Sequence, residues 1–252
     1  MEHKYTAKYF SERLPEWKRK RDPIVVRTFF RPLSFPCSAI FSNMGLTAND
    51  VTIISIIVAL IADTLFFMAK TSRAMGVAAA ILISVWLLLD CSDGNMARSV
   101  RKQPYGEFLD ALGSYILVAF LGVGLGRYVF YNGGLVLTAG SITPIFVGTC
   151  SSIFDLLMRT THQKYIVTGL EYSNKQEEKA DDSAKNTFTK IKDRVQLELG
   201  IGGILPPIIL VCAITNTLDL VSIYLLLYNG LSCVFIVLLY IHRTMKLKNQ
   251  TL

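Results

Sequence analysis

No two of the five cysteines (Cys37, Cys91, Cys150, Cys212 and Cys233) form a C-x-x-C pair, and most lie in or beside apolar runs. Cysteine in that setting acts as a small hydrophobe, so neither a disulfide framework nor a zinc site is expected. Charge is scarce as well, at 18% of residues, below the ordinary soluble share of about 25%. The opening residues, MEHKYTAKYF, lack a signal-peptide apolar core, so the first membrane segment is expected to be internal and retained. There is no internal repeat and no extended low-complexity tract. Although the net charge is +7, the basic residues flank apolar runs instead of forming a groove-reading motif, which argues against nucleic acid.

What is present in excess is apolar sequence: 52% hydrophobic residues and a mean hydropathy of +0.41, gathered in long blocks. The expected fold class is therefore an all-α integral membrane protein. Six runs approach the length needed to cross a core of ~30 Å at ~1.5 Å per residue. They lie near 51–69, 74–93, 106–130, 134–158, 202–216 and 218–241, so residues 51–241 form a six-helix transmembrane domain. The fifth run is short and carries Pro206 and Pro207, whose freed carbonyls neighbouring helices would satisfy. Residues 1–50 mix basic residues with Trp17, Phe29 and Phe30 and are broken by prolines, which suits an interfacial amphipathic segment on an anionic lipid surface. Residues 159–201 read as a polar connector with short helices in VTGLEY and FTKIKDRVQLEL, and 242–252 as a tail.

Orientation follows from Lys and Arg. Of the 26 such residues all but Lys70, Arg73 and Arg127 fall in 1–50, 94–105, 159–201 and 242–252. By the positive-inside rule both termini are expected in the cytoplasm. The same assignment puts the junction between the second and third runs at the cytoplasmic face.

That junction, Leu87–Tyr115, concentrates unusual residues: Asp90, Asp93 and Asp110, with Gly94, Ala97, Arg98 and Gly106. Asp90 and Asp93 are three apart and share a helix face. Asp110 opens the next run, and two helices joined by a short loop tend to be antiparallel neighbours whose ends meet. Clustered carboxylates repel unless a cation neutralises them, and a hard divalent ion accepts such oxygens together with phosphate. The glycines admit a ligand to the backbone, and Arg98 offers a fork for phosphate. Singly, each residue has a plainer account: a solvated helix end, a packing glycine, a positive-inside arginine. Jointly they describe a metal-diphosphate site.

This spacing resembles the CDP-alcohol phosphotransferase family, whose motif is Asp-x-x-Asp-Gly-x-x-Ala-Arg, about eight residues, then Gly-x-x-x-Asp-x-x-x-Asp. The chain matches at Asp90, Asp93, Gly94, Ala97, Arg98, Gly106 and Asp110. More loosely, Thr47-Ala48-Asn49 with Thr52 is similar to the Thr-Pro-Asn that precedes the first membrane helix in many members. The resemblance implies two divalent ions, Mg²⁺ or Mn²⁺, held by Asp90, Asp93 and Asp110, and a CDP moiety lined by Gly94, Ala97, Arg98 and Gly106. It implies transfer of a substituted phosphate from a CDP-alcohol, CDP-diacylglycerol favoured, to an acceptor hydroxyl, with CMP released. It also suggests a homodimer, to which Gly122, Gly124 and Gly126 could contribute if they do not pack internally.

Two departures stand out. The spacer between Arg98 and Gly106 is seven residues, SVRKQPY, and the fourth aspartate is replaced by Ser114. In the family that carboxylate is the proposed general base, a role serine cannot fill near neutral pH. Another base would then serve (Glu107, Asp155 and His162 are the candidates), or a metal-bound water, or an already anionic acceptor. Alternatively the chain is a catalytically silent binder of CDP-lipids, or Ser114 is an introduced change. Asp63, inside the first run, is costly in lipid and is assigned no role.

Overall fold

The computed structural model describes residues 4–168 and 198–248, and every regular element among them is helical. Most of the connector 159–201, with its two expected short helices, lies outside the described residues. Short helices α1 (Ala7–Arg13) and α2 (Glu16–Arg21) precede a π-helical turn, Val26–Phe30, and α3 (Arg31–Asn43). Then come α4 (Ala48–Met68), α5 (Arg73–Ser99), α6 (Gly106–Asn132), α7 (Thr143–Val167), α8 (Leu205–Thr215) and α9 (Leu218–Lys248).

Each expected run therefore contains a helix, but among the described residues four helices are long and apolar enough to cross a membrane: α4, α5, α6 and, over Leu218–Met245, α9. The 11 residues of α8 rise only about 16 Å, half of a ~30 Å core. Its prolines also act differently from expectation. Pro206 and Pro207 stand in the first turn, where the missing N–H has no intrahelical partner to lose. Helix α7 begins at Thr143 and not near 134, because Gly133 and Gly140 adopt φ of +66° and +78°. The preceding loop is held elsewhere: buried Asp219 accepts from the N–H groups of Val136 (2.6 Å) and Leu137 (3.1 Å).

The packing order differs from a simple hairpin of α5 and α6. Helix α4 lies against both of them, α7 packs on α6, and α9 on α7, while α5 and α6 touch each other only slightly. The main core runs through Phe66, Ile83, Trp86, Leu117, Leu125 and Tyr128. A smaller cluster centred on Phe10, Ala39, Val51 and Met96 fastens the N-terminal segment to α4 and α5. That segment consequently has two faces, since Ile24, Phe29, Leu33 and Ile40 remain exposed, as an interfacial segment requires.

The glycines of α6 are spent inside the chain. A Cβ on Gly126 would lie 2.5 Å from the carbonyl oxygen of Pro144, one on Gly124 3.0 Å from Cβ of Phe66, and Gly122 and Gly148 meet backbone to backbone. Gly148→Ala is expected to push α6 and α7 apart, at a cost of about 1–3 kcal/mol for an overpacked contact. Thermal unfolding in detergent checks this, with Gly202→Ala as the neutral control, because nothing lies within 4 Å of a Cβ there. Asp63 faces the bundle, buried, and among the described residues neither carboxyl oxygen has a hydrogen-bond partner.

Candidate functional site

Helix α4 sets the site. Thr47 and Asp50 form a capping box at its start, with Asp50 N–H donating to Thr47 Oγ1 (3.2 Å) and Thr47 N–H to Asp50 Oδ2 (2.8 Å). This fixes the first turn of α4, from which Asn49 and Thr52 project toward the signature residues. Thr52 Oγ1 donates to Asp93 Oδ2 at 2.6 Å. Asn49 Nδ2 donates to the carbonyl of Pro104 at 3.0 Å, tying down the loop between α5 and α6. That loop ends on Tyr105, a non-glycine residue at φ 64°, immediately before Gly106, a left-handed conformation that costs energy outside glycine. A Cβ on Gly106 would lie 3.2 Å from Asn49 Oδ1, so the bare backbone is what lets Asn49 pass.

A cleft of about 360 Å³ results, lined by Trp17, Thr52, Asp93, Gly94, Ala97, Arg98, Gly106 and Asp110 among others. Six of the seven motif residues thus share one cavity. Asp93 is buried and Asp110 exposed, so the carboxylates run from the floor of the cleft to its mouth. The seventh, Asp90, is half-buried on α5 three residues before Asp93 and within electrostatic reach of both Asp93 and Asp110. Helix α5 continues to Ser99 instead of ending at 93, so Asp90, Asp93, Gly94, Ala97 and Arg98 all stand on one uninterrupted helix. The guanidinium of Arg98 folds back over Gly94, within 2.9 Å of where a Cβ would be. At the rim Lys102 Nζ donates to Glu107 at 2.8 Å, a hydrogen bond and charge that raise the Lys102 ammonium above its usual range.

The donor set suits a hard cation: three carboxylates with the Thr52 hydroxyl, all oxygen. Among the described residues no three His, Cys, Asp or Glu side chains stand in finished ligating geometry, so an ion would have to draw Asp90, Asp93 and Asp110 together. When bound, it would offset the mutual repulsion of the acids and polarise a phosphate placed against them.

Behind the cleft lies a support that sequence reasoning missed. Arg31, buried at the start of α3, donates from Nε to Asp22 Oδ2 (2.8 Å) and from Nη2 to Asp22 Oδ1 (3.1 Å). Its Nη1 donates to the Cys91 carbonyl and to Asn95 Oδ1, both at 3.0 Å. Asn95 Oδ1 also accepts from Arg98 Nη2 (3.4 Å), and Asn95 Nδ2 donates to Ser34 Oγ (2.8 Å). Burial would push Asp22 up, yet the hydrogen bonds and charge of Arg31, together with Lys18 at 3.1 Å, outweigh it and hold the carboxyl below its ordinary value. The sequence shows only basic residues scattered through 1–50, a pattern that does not reveal that Arg31 is the one that turns inward.

The expected substitutes for a fourth aspartate separate clearly. Ser114 Oγ donates to the Ala111 carbonyl (2.9 Å) and accepts from Arg159 Nη1 (3.4 Å). Asp155 is ion-paired with that same Arg159, and both line a second cavity of about 190 Å³ with Ser151, Tyr228 and Asn229. Asp155 therefore reaches Ser114 only through the guanidinium. His162 is hydrogen-bonded to the Tyr240 hydroxyl and stacked on its ring, away from the cleft. Of the three, Glu107 alone shares the cleft with Asp110. Trp17, expected at the lipid surface, is exposed and also lines the cleft. No family model matches the chain, and no curated protein matches it.

Proposed function

We propose that this membrane protein is a metal-dependent CDP-alcohol phosphotransferase. The observation that carries the reading is the common cleft of Asp93, Gly94, Ala97, Arg98, Gly106 and Asp110, with Asp90 behind it. Arg98, folded over Gly94, would seat the diphosphate of a CDP-alcohol together with Gly106 and Ala97, CDP-diacylglycerol being favoured, and the three aspartates would hold its divalent ions. An acceptor hydroxyl attacks the phosphorus that bears the transferred alcohol. A new P–O bond forms as the P–O bond to CMP breaks, and the hydroxyl proton passes to a base. Glu107 fits that last role best by position, as it lines the cleft beside Asp110. In this reading all six apolar helices α4–α9 lie in the membrane, with the Lys- and Arg-rich segments, both termini and the cleft on the cytoplasmic side.

The test is metal-dependent CMP release from CDP-diacylglycerol, CDP-choline and CDP-ethanolamine across a panel of acceptor alcohols. Absence of CDP binding and of CMP release in every combination rejects the reading.

A second reading, a silent CDP-lipid binder, is favoured by one observation: the Ser114 hydroxyl is tied to Ala111 and Arg159, and no carboxylate stands there. The two readings diverge on Ser114→Asp. In a working enzyme the new carboxylate faces Arg159 and the neighbouring Asp110, and CMP release is expected to persist or rise. In a silent binder release is absent in the native chain, and its appearance only in Ser114→Asp would establish that state.

A further inference from the structure

Trp17 is the only aromatic side chain lining the cleft among the described residues, and it remains 59% exposed. An exposed tryptophan beside a membrane ordinarily serves as an interfacial anchor. Its position here is governed by other contacts. The next residue, Lys18, is ion-paired with buried Asp22 at 3.1 Å, Asp22 is locked to Arg31, and Arg31 is hydrogen-bonded to α5 at Cys91 and Asn95. Helix α2 is therefore anchored to the same helix that carries Asp90, Asp93 and Arg98. The indole stands as one wall of a cavity whose other walls are charged, polar or small.

The chemistry is divided accordingly. Carboxylates, Thr52 and Arg98 handle phosphate and cation, and Ala48, Gly94, Ala97 and Gly106 are small. Nothing polar in the set requires an aromatic ring. A planar π-face at the rim of a phosphate site is suited to a planar base, which stacks on indole with little dependence on hydrogen-bond pattern. We infer that Trp17 is the stacking wall for the base of a nucleoside diphosphate whose phosphates lie at Arg98 and the aspartates. This rests on the proposed function and adds to it the side of the cleft on which the base lies.

The two tryptophans make the inference measurable, since Trp86 is buried in the core at 3% exposure and supplies a constant background. Full-length protein in detergent with Mg²⁺ is titrated with CDP and with inorganic pyrophosphate, following tryptophan emission, while equilibrium dialysis with labelled CDP reports binding independently. CDP is expected to change the emission, pyrophosphate is not, and Trp17→Phe removes the change. Trp17→Ala should weaken CDP about ten-fold, the scale of one base–aromatic stack, with Trp17→Phe retaining most of the affinity and pyrophosphate binding unaltered in both. If CDP binds by dialysis yet Trp17→Ala leaves affinity and emission response intact, the stacking role is overturned and the proposed function stands. Quenching of Trp17 by brominated lipid in nanodiscs that CDP does not relieve also overturns it. No CDP binding in the native chain removes the proposed function, and this role with it.

Discussion

Asp93→Asn is expected to abolish metal-dependent CMP release while leaving the protein folded. Asparagine keeps an oxygen to accept from Thr52, now at 2.6 Å from Asp93 Oδ2, so the contact between α4 and α5 survives. What is lost is one negative charge from a set of three. Removing a residue that merely orients a metal ligand costs about 10–100-fold, so loss of a ligand should exceed ~100-fold in rate and weaken metal-dependent CDP binding with it. Thr52→Val is the instructive companion: Asp93 keeps its charge but loses the Thr52 hydroxyl that donates to it, and a decrease of about 10–100-fold is expected. An Asp93→Asn protein that releases CMP at the native rate would remove Asp93 from the site.

Arg31→Met carries the largest expected effect on stability. The substitution leaves Asp22, 2% exposed, with Lys18 alone, and removes the Arg31 hydrogen bonds to Asn95 and the Cys91 carbonyl, so that Asn95 Oδ1 keeps only the longer bond from Arg98. Removing one partner of a buried pair costs about 3–5 kcal/mol, because an uncompensated charge stays behind. Thermal unfolding in detergent should fall on the order of 10 °C. The double variant Asp22→Asn/Arg31→Met, which leaves only the more exposed Lys18 without its partner, should recover part of that loss. The pH dependence has a defined sign. The folded-state carboxyl of Asp22 sits below its ordinary value of 3.8, so its contribution is fully present above that value. It is lost as pH falls through the depressed folded value. Native protein should therefore lose stability below about pH 4 more steeply than Asp22→Asn, which has no such proton to take up. Because Arg31 and Arg98 meet on Asn95, Arg31→Met should also weaken CDP binding, whereas Gly148→Ala, at the contact of α6 with α7, should not.

Length and local order explain what was readable beforehand. Runs such as 51–69 and 106–130 declare helices because their apolar content continues for about the span of a bilayer with no proline to interrupt it. The spacing of Asp90, Asp93 and Asp110 placed the candidate site at one loop, and the cleft now found includes six of the seven residues singled out. Helix ends were harder. The start of α7 at Thr143 depends on Asp219, which reaches back more than eighty positions to hold Val136 and Leu137. The expected pairing of α5 with α6 gave way to a common neighbour, α4. Loop length limits which helices are adjacent, but side-chain volume decides which of them pack.

By itself, then, the sequence determined that the chain is built of apolar helices and that its acids, glycines and Arg98 converge near residues 87–115. Those properties reside in composition and short-range spacing. Only the tertiary structure decided that Thr52 holds Asp93, that Arg31 and Asn95 brace the signature helix, that Trp17 forms part of the cleft wall, and that Arg159 holds Ser114. Each of these is a contact between segments distant along the chain. Such contacts are selected by packing and by the need to pair every buried charge, and no local pattern records the choice.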